Sequence, residues 1–173
     1  MVDSTAVSRQ LSGHKIGRYF GLFLNRMASI ASNFGATVVK NMGDSILYYF
    51  PETEYGSLDS FKAVLLCGLA MIRERTTLNE ILRNEGLPDL NYRISCEYGS
   101  VAVARVSTSS VNDIFGSTVN HCSKINLLAP SGGMVIGQSM YEKVRTLGEF
   151  KFVESPRTFG DEKYRVYLVE QSI

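Results

Sequence analysis

Two acidic residues near the start of the chain are of the type that holds divalent cations. Asp44 stands in Lys40-Asn41-Met42-Gly43-Asp44, at the tip of an expected tight hairpin, and Asp3 lies near the first residue. Carboxylate oxygens, together with substrate phosphates, are the ligands that Mg²⁺ prefers. Ordinary turn chemistry explains Gly-Asp equally well, and an acidic residue near a terminus is usually solvated. Spacing alone does not show that the two carboxylates meet.

A second group of polar residues lies at the entrance to an expected helix. The segment Asn112-Asp113-Ile114-Phe115-Gly116-Ser117-Thr118-Val119-Asn120 brings Asp113 and Asn120 towards one pocket, and Lys124 follows Asn120 by four residues on the same helix face. An Asn–Lys pair on one face can hold an anionic group. Helix capping by the hydroxyl residues and simple solvent exposure account for the same pattern.

Several other kinds of site are not indicated. The two histidines, His14 and His121, are isolated, and no His/Cys cluster has the spacing of a zinc site. The sequence contains neither a G-x-S-x-G elbow nor a G-x-x-x-x-G-K-[ST] phosphate loop. Arg157 lies in an expected loop and is by default a surface arginine.

Composition predicts one globular domain of 173 residues, 1–173, rather than a disordered or fibrous chain. The net charge of +1 argues against a dedicated nucleic-acid binder, which usually carries a basic face. The longest apolar run, 61–72, is too short to cross a membrane and contains Lys62, and no signal-peptide pattern opens the chain. Three cysteines make no disulfide framework, so we expect Cys67 and Cys96 to be core thiols and the compartment to be the cytoplasm.

The periodicity of apolar residues predicts two long helices that alternate with strand pairs. The first helix begins after Ser12 and stops at Gly35, and the second covers about Leu58–Arg83. Hairpins are expected from Ala36–Met42 with Ser45–Phe50, and from Tyr92–Glu97 with Val101–Val106. The remainder predicts a short αβα segment and a final strand pair, with these bounds: Thr118–Leu128, Met134–Ile136, Ser139–Arg145, Phe150–Val153 and Tyr164–Val169. This order favours an α+β sandwich with helices on one face of a sheet.

Four of these segments, in this order, resemble the class III adenylate/guanylate cyclase catalytic domain of the adenylate type. They cover nearly the whole chain and are, in order, Val38-Val39-Lys40-Asn41-Met42-Gly43-Asp44, Arg93-Ile94-Ser95-Cys96-Glu97-Tyr98-Gly99, Asp113-Ile114-Phe115-Gly116-Ser117-Thr118-Val119-Asn120, and Gly132-Gly133-Met134-Val135-Ile136. The resemblance implies a ferredoxin-like α+β domain with an antiparallel-rich sheet. It also implies a head-to-tail homodimer whose active sites are built from both protomers.

The family's two metal-binding aspartates match Asp44 and Asp3, which implies two Mg²⁺ or Mn²⁺ ions in each active site. The family normally has a strand before the first of these aspartates and an aromatic-Thr pair after it. Here only Met1-Val2 precedes Asp3, and the aromatic-Thr pair is absent. The opening strand is therefore expected to be short or cut off upstream.

The remaining family residues imply ATP as the substrate and cyclic AMP with pyrophosphate as the products. Lys40 and Asp113 match the pair that reads adenine, and Asn120 matches the asparagine that orients the ribose. Lys124 replaces the usual arginine on the transition-state phosphate, so we expect catalysis to be weaker by a factor of about ten to a thousand. Arg157 is the expected contact for the terminal phosphates.

Three alternatives remain open at this stage. A degenerate cyclase domain would bind nucleotide or a partner with little or no activity, and Lys124 with the shortened start favours it. A guanylate cyclase is disfavoured by Lys40 and Asp113, because guanine presents a donor where adenine presents an acceptor. A nucleic-acid-binding ferredoxin-like domain lacks both the charge and the aromatic strand pattern.

Overall fold

The computed structural model describes residues 1–105, 112–155 and 164–171. The helices are α1 (Ser4–Gln10), α2 (Gly13–Asn33), α3 (Leu58–Asn84), α4 (Ser117–Asn126) and α5 (Gln138–Val144), with a 3-10 turn at Pro51–Tyr55. The strands are β1 (Thr37–Met42), β2 (Ser45–Tyr49), β3 (Ile94–Cys96), β4 (Ala102–Ala104), β5 (Asp113–Phe115), β6 (Met134–Gly137), β7 (Phe150–Glu154) and β8 (Val166–Gln171).

The main sheet has four strands in the order β3-β6-β8-β7. The β3–β6 pair is parallel, whereas β6–β8 and β7–β8 are antiparallel. Two antiparallel ribbons, β1–β2 and β4–β5, stand beside this sheet. The expected α+β class with an antiparallel-rich sheet is confirmed.

The two long helices pack on one face of the sheet, as the sequence predicts. Their apolar faces join Met134 and Ile136 of β6 in the larger core, and Gly68 of α3 allows the helix to approach β6 closely. A β-carbon at Gly68 would lie 2.5 Å from the Met134 sulfur. The opposite face carries α4, whose Ile125 packs with Val135 in a smaller core. Because strand side chains alternate between the two faces of a sheet, Met134 and Ile136 enter the larger core and Val135 enters the smaller one.

The first hairpin, both long helices and the final strand pair are confirmed. Helix α2 begins directly after Ser12, and Gly35 adopts a left-handed φ of 84° just beyond its end. Cys67 and Cys96 are buried and all three cysteines are free, as expected for core thiols. Burial raises the pKa of the Cys67 thiol to about 12, so this group is chemically inert at neutral pH.

The expected second hairpin is wrong. β3 pairs with β6, and β4 pairs instead with β5, which the sequence predicted to be loop. The segment around Gly99 does not form a tight turn because the first turn of α4 packs against it. A β-carbon at Gly99 would lie 2.5 Å from the Thr118 hydroxyl.

The segment before α2 also differs from expectation. Residues 4–10 form the short helix α1, which buries no side chain and therefore leaves no apolar periodicity in the sequence. The opening strand is reduced to one backbone hydrogen bond, from the Val2 N–H to the Asn91 carbonyl at 2.8 Å. This contact places Asp3 beside the entrance to β3.

Candidate active site

Lys40 of β1 and Asp113 of β5 lie in direct contact, although 73 residues separate them. The Lys40 Nζ donates to the Asp113 Oδ2 at 2.5 Å, and the lysine side chain is 41% exposed while the aspartate side chain is 16% exposed. The second carboxylate oxygen accepts from the backbone N–H of Ile114 at 2.8 Å. A cationic donor and an anionic acceptor are thus held next to each other at the edge of the two ribbons.

The aromatic ring of Phe115 lies beside this pair. The Lys40 Nζ is 5.6 Å from the centroid of the ring, within the range of a cation–π contact. Asp113 and Phe115 share one face of β5, because side chains alternate along a strand. Their cross-strand partners on β4 are Ala104 and Ala102, whose small side chains leave this face open. Phe115 itself is 48% exposed.

The charge state of Asp113 follows from these contacts. The hydrogen bond from Lys40 is the main cause that holds the pKa of the Asp113 carboxyl below its usual range; burial opposes it, and the Ile114 N–H and the charge of Lys40 add to the lowering. The carboxylate is therefore an acceptor at neutral pH. Such a donor–acceptor pair complements a base edge with a ring nitrogen acceptor beside an amino group, as in adenine and cytosine, and mismatches guanine and uracil.

Asp44 lies at the tip of the β1–β2 hairpin and faces the start of the chain. Its Oδ2 is 3.1 Å from the N-terminal ammonium, and its side chain is 32% exposed. Burial would raise the pKa of this carboxyl, but hydrogen bonds from the Ser4 hydroxyl and the terminal ammonium outweigh burial and lower the pKa. A cavity of 390 Å³ adjoins it, lined also by residues at the start of α2.

Asp3 sits on the segment that contacts Asp44. The residues Met1 and Ser4, on both sides of Asp3, contact Asp44 through the ammonium and the hydroxyl. Asp3 is exposed and has a left-handed φ of 55°, which is uncommon outside glycine. Its side chain does not cap α1, so the carboxylate is not engaged in ordinary helix capping.

These two aspartates supply the oxygen donors that Mg²⁺ and Mn²⁺ prefer. Among the described residues no group of three or more His, Cys, Asp or Glu side chains forms a complete metal cage. The donor set therefore fits an ion that takes its other ligands from phosphate and water.

Asn120 and Lys124 are both exposed residues of α4, one helical turn apart. The start of α4 is fixed by the Thr118 hydroxyl, which donates to the Ser100 carbonyl at 2.8 Å. The two side chains thus project from one face of a helix whose position is set by the loop after β3. Arg157 lies outside the described residues.

A comparison with protein families identifies the chain. The model of the adenylate and guanylate cyclase catalytic domain matches residues 1–171. The chain belongs to this family. The Lys40–Asp113 contact and the two aspartates thus lie in a domain of the nucleotide cyclase family.

Curated relatives are nucleotide cyclases of different base specificity. A cytidylate cyclase of Staphylococcus aureus is 23% identical over 172 residues, which is 96% of this chain and 41% of that protein. An adenylate cyclase of Streptomyces coelicolor is 23% identical over 144 residues, which is 83% of this chain and 32% of that protein. The chain therefore spans less than half the length of these relatives.

Solved structures share the fold at low sequence identity. The adenylyl cyclase CyaB from P. aeruginosa superimposes with a TM-score of 0.81 at 19% identity, covering 99% of this chain and 90% of that one. The guanylate cyclase domain of RhGC from Catenaria anguillulae, solved with GTP, gives 0.77 at 18% identity, covering 99% and 92%. Within the part of the chain that the structure describes, no helix is long and apolar enough to cross a membrane.

Sequence reasoning missed three residues of this region. The signal for Phe115 is its alternation with Asp113. A strand predicted at residues 113–115 would have placed its ring on the same face as Asp113, beside Lys40. Glu97 and Tyr164 were not singled out, yet they are hydrogen-bonded to each other next to α4. No pattern in the sequence connects residues 67 positions apart in this way.

Proposed function

We propose that this cyclase domain converts ATP to 3′,5′-cyclic AMP and pyrophosphate. The observation that carries the proposal is the contact between Lys40 and Asp113 at 2.5 Å. Adenine offers an acceptor at N1 and a donor at its exocyclic amine, so Lys40 donates to the ring nitrogen and Asp113 accepts from the amine. Guanine would set its N1–H donor against the Lys40 ammonium and its O6 acceptor against the Asp113 carboxylate. Leaving these polar groups unpaired costs binding free energy in a buried site.

Asp44 and Asp3 are the proposed ligands of two divalent ions. Bound there, Mg²⁺ or Mn²⁺ would acidify the 3′-hydroxyl and neutralise charge on the attacking and leaving oxygens. The contribution of the chain is to keep two carboxylates on neighbouring segments. The contacts of Met1 and Ser4 to Asp44 support this arrangement.

Asn120, Lys124 and Arg157 are the proposed contacts beyond the base. Asn120 orients the ribose so that its 3′-oxygen faces the α-phosphorus. Lys124 places positive charge beside that phosphorus as the oxygen bonds to it and the bond to pyrophosphate breaks. Arg157 is proposed to hold the terminal phosphates. Lysine lacks the planar, multi-donor fork of arginine, so we expect slow turnover.

A homodimer with shared active sites is the proposed working form. Lys40 faces β5, whereas Asp44 faces the N-terminus and α1, so one chain presents the two sets of ligands on different sides of its first hairpin. The two ribbons around Lys40 also expose apolar side chains, with Met42 of β1 at 42% and Phe115 of β5 at 48%. A second copy lying over these ribbons would cover them and exclude water from the base.

CTP is a second candidate substrate. Cytosine presents the same edge as adenine, with N3 as acceptor and its exocyclic amine as donor. A relative that matches nearly the whole chain is a cytidylate cyclase. The Lys40–Asp113 pair thus favours bases that carry an exocyclic amine, adenine and cytosine. The size of the pocket around the pair then decides between a purine and a pyrimidine.

Purified protein incubated with ATP or CTP, in the presence of Mg²⁺ or Mn²⁺, tests the proposal. Chromatography should detect cyclic AMP from the wild type and none from Asp44→Ala, while Asp59→Ala, an acidic control at the start of α3, stays active. Cyclic CMP as the main product would mean that CTP, and not ATP, is the substrate. No product from a folded, dimeric wild type would favour a degenerate module that binds nucleotide or a partner without turnover.

A further inference from the structure

Glu97 joins three elements of the fold. It follows β3 directly, and its Oε1 accepts from the backbone N–H of Tyr98 at 2.9 Å and from that of Met140, in the first turn of α5, at 3.3 Å. Its Oε2 accepts a short hydrogen bond from the hydroxyl of Tyr164, which lies just before β8. One carboxylate therefore ties together the end of β3, the start of α5 and the start of β8.

The sequence makes room for this carboxylate at Gly137. A β-carbon at that position would lie 1.7 Å from the Glu97 Oε2, so the carboxylate would have to move from its present place. The backbone of Gly137 has an ordinary extended conformation, with φ −79° and ψ 170°, so glycine is not required there by a turn. Space for the Glu97 side chain is the physical reason for this glycine.

Tyr164 carries the connection on to α4. Its ring lies 5.4 Å from the ring of His121, at an angle of 45°, within the range of favourable aromatic contacts. His121 directly follows Asn120 and precedes Lys124 by three residues. The aromatic contact therefore acts on the turn of α4 that carries both proposed nucleotide contacts.

Two other polar contacts fix α4 at its ends. Thr118 donates to the Ser100 carbonyl at 2.8 Å, and the Asn126 Nδ2 donates to the Ser95 Oγ at 3.1 Å. Between these ends, the Cys122 thiol donates to the Ser95 carbonyl at 3.4 Å, and the Tyr164 ring lies against His121. Loss of the Tyr164 contact would remove one of these middle contacts and loosen this turn while both ends stay attached.

We infer that the hydrogen bond from Tyr164 to Glu97 is a positioning contact that holds α4 where Asn120 and Lys124 face the nucleotide. The inference rests on the proposed function for its effect on turnover. The base is read by Lys40 and Asp113, on β1 and β5 rather than on α4, so base recognition is set by other residues. Disturbing Tyr164 should therefore lower kcat and leave KM nearly unchanged.

Tyr164→Phe is the sharpest variant because it keeps the ring on His121 and removes only the hydroxyl. We expect kcat to fall about tenfold with KM within about twofold, since small displacements of a catalytic group are costly. Glu97→Gln keeps an acceptor for the Tyr164 hydroxyl, so its kcat should fall less than that of Tyr164→Phe. Tyr55→Phe, at a tyrosine that is 77% exposed, is the matched control and should leave both constants unchanged.

Hydrogen exchange gives a readout that does not need activity. In Tyr164→Phe we expect faster exchange across residues 117–126 and unchanged exchange in the first hairpin, residues 37–49. Unchanged exchange in α4, or a rise in KM with kcat preserved, would overturn the inference. An inactive wild type with faster α4 exchange in the variant would refute the proposed function and still support the positioning contact.

Discussion

The base-reading pair, Lys40 and Asp113, and the phosphate-facing residues, Asp3, Asp44, Asn120 and Lys124, are organised differently. The pair is in contact within a single chain and each member satisfies the other. Asn120 and Lys124 instead project from an exposed helix face, and Asp44 pairs with the N-terminus. In the proposed function, one chain thus completes the recognition of the base, and the chemistry is assembled with the nucleotide, the ions and a second copy.

This difference has a physical reason. Base selection depends on unpaired polar groups being costly, so donor and acceptor must be placed before the base arrives. Charge stabilisation of a transferring phosphoryl group needs positive charge from several directions around one phosphorus. Of the four residues proposed to face the phosphates only Lys124 is cationic, so most of that charge would arrive with the bound ions.

The largest effect is expected from mixing two variants that each turn over ATP poorly. Asp44→Ala removes a phosphate-facing residue and Lys40→Met removes half of the base-reading pair. If the active sites are shared, each mixed dimer keeps one intact site, so activity should rise from background to about a quarter of the wild-type level. Cyclic AMP formation after co-refolding or co-expression measures this.

Mixing each variant with itself is the control for this experiment. A mixture that stays at background, although native mass spectrometry shows mixed dimers, would contradict shared sites. The account would then require Lys40 and Asp44 to act on the same nucleotide within one chain.

Selectivity should collapse when the base-reading pair is broken. Lys40→Met leaves the Asp113 carboxylate without its cation, so the preference for ATP over GTP, as a ratio of kcat/KM, should fall by roughly 100-fold. Lys62→Met is a matched control, because Lys62 also forms a surface ion pair, with Glu149, away from this site. A preserved ratio in Lys40→Met would show that other residues select the base.

Placing arginine, the usual family residue, at position 124 should raise kcat without changing base recognition. Lys124→Arg supplies a planar fork with more donors, so we expect kcat to rise about tenfold with little change in KM. Steady-state kinetics with ATP measures both constants. Lys143→Arg, on α5, controls for the general effect of the substitution, and an unchanged or lower kcat in Lys124→Arg would count against the role given to this residue.

The smallest effect concerns pH. The pKa of Asp113 is lowered in the folded chain, so its carboxylate is present above that pKa and is lost only as pH falls through it. The ATP-to-GTP preference of the wild type should therefore change by less than about twofold between pH 7 and pH 5, since unperturbed carboxyl groups already titrate near pH 4. Measuring both substrates at each pH tests this, and a marked loss of preference at pH 5 would mean that Asp113 is protonated there.

The sequence indicates candidate residues for the site and says little about their arrangement. Lys40 and Asp113 were identified from their motifs, and the first hairpin and α2 followed from local periodicity and turn residues. The β4–β5 pairing was missed because three-residue strands have no measurable period, and the helix α1 because it buries nothing. The Glu97–Tyr164 contact depends on the space at Gly137, which only the packed structure reveals.

The most direct test of the account compares kcat/KM for ATP, CTP, GTP and UTP with the same protein preparation. The account predicts that ATP has the highest value and that both oxo-base nucleotides, GTP and UTP, are at least about 100-fold poorer. CTP above ATP would keep the role of the base-reading pair and change the substrate. GTP or UTP turned over as efficiently as ATP would contradict the claim that Lys40 and Asp113 read the base.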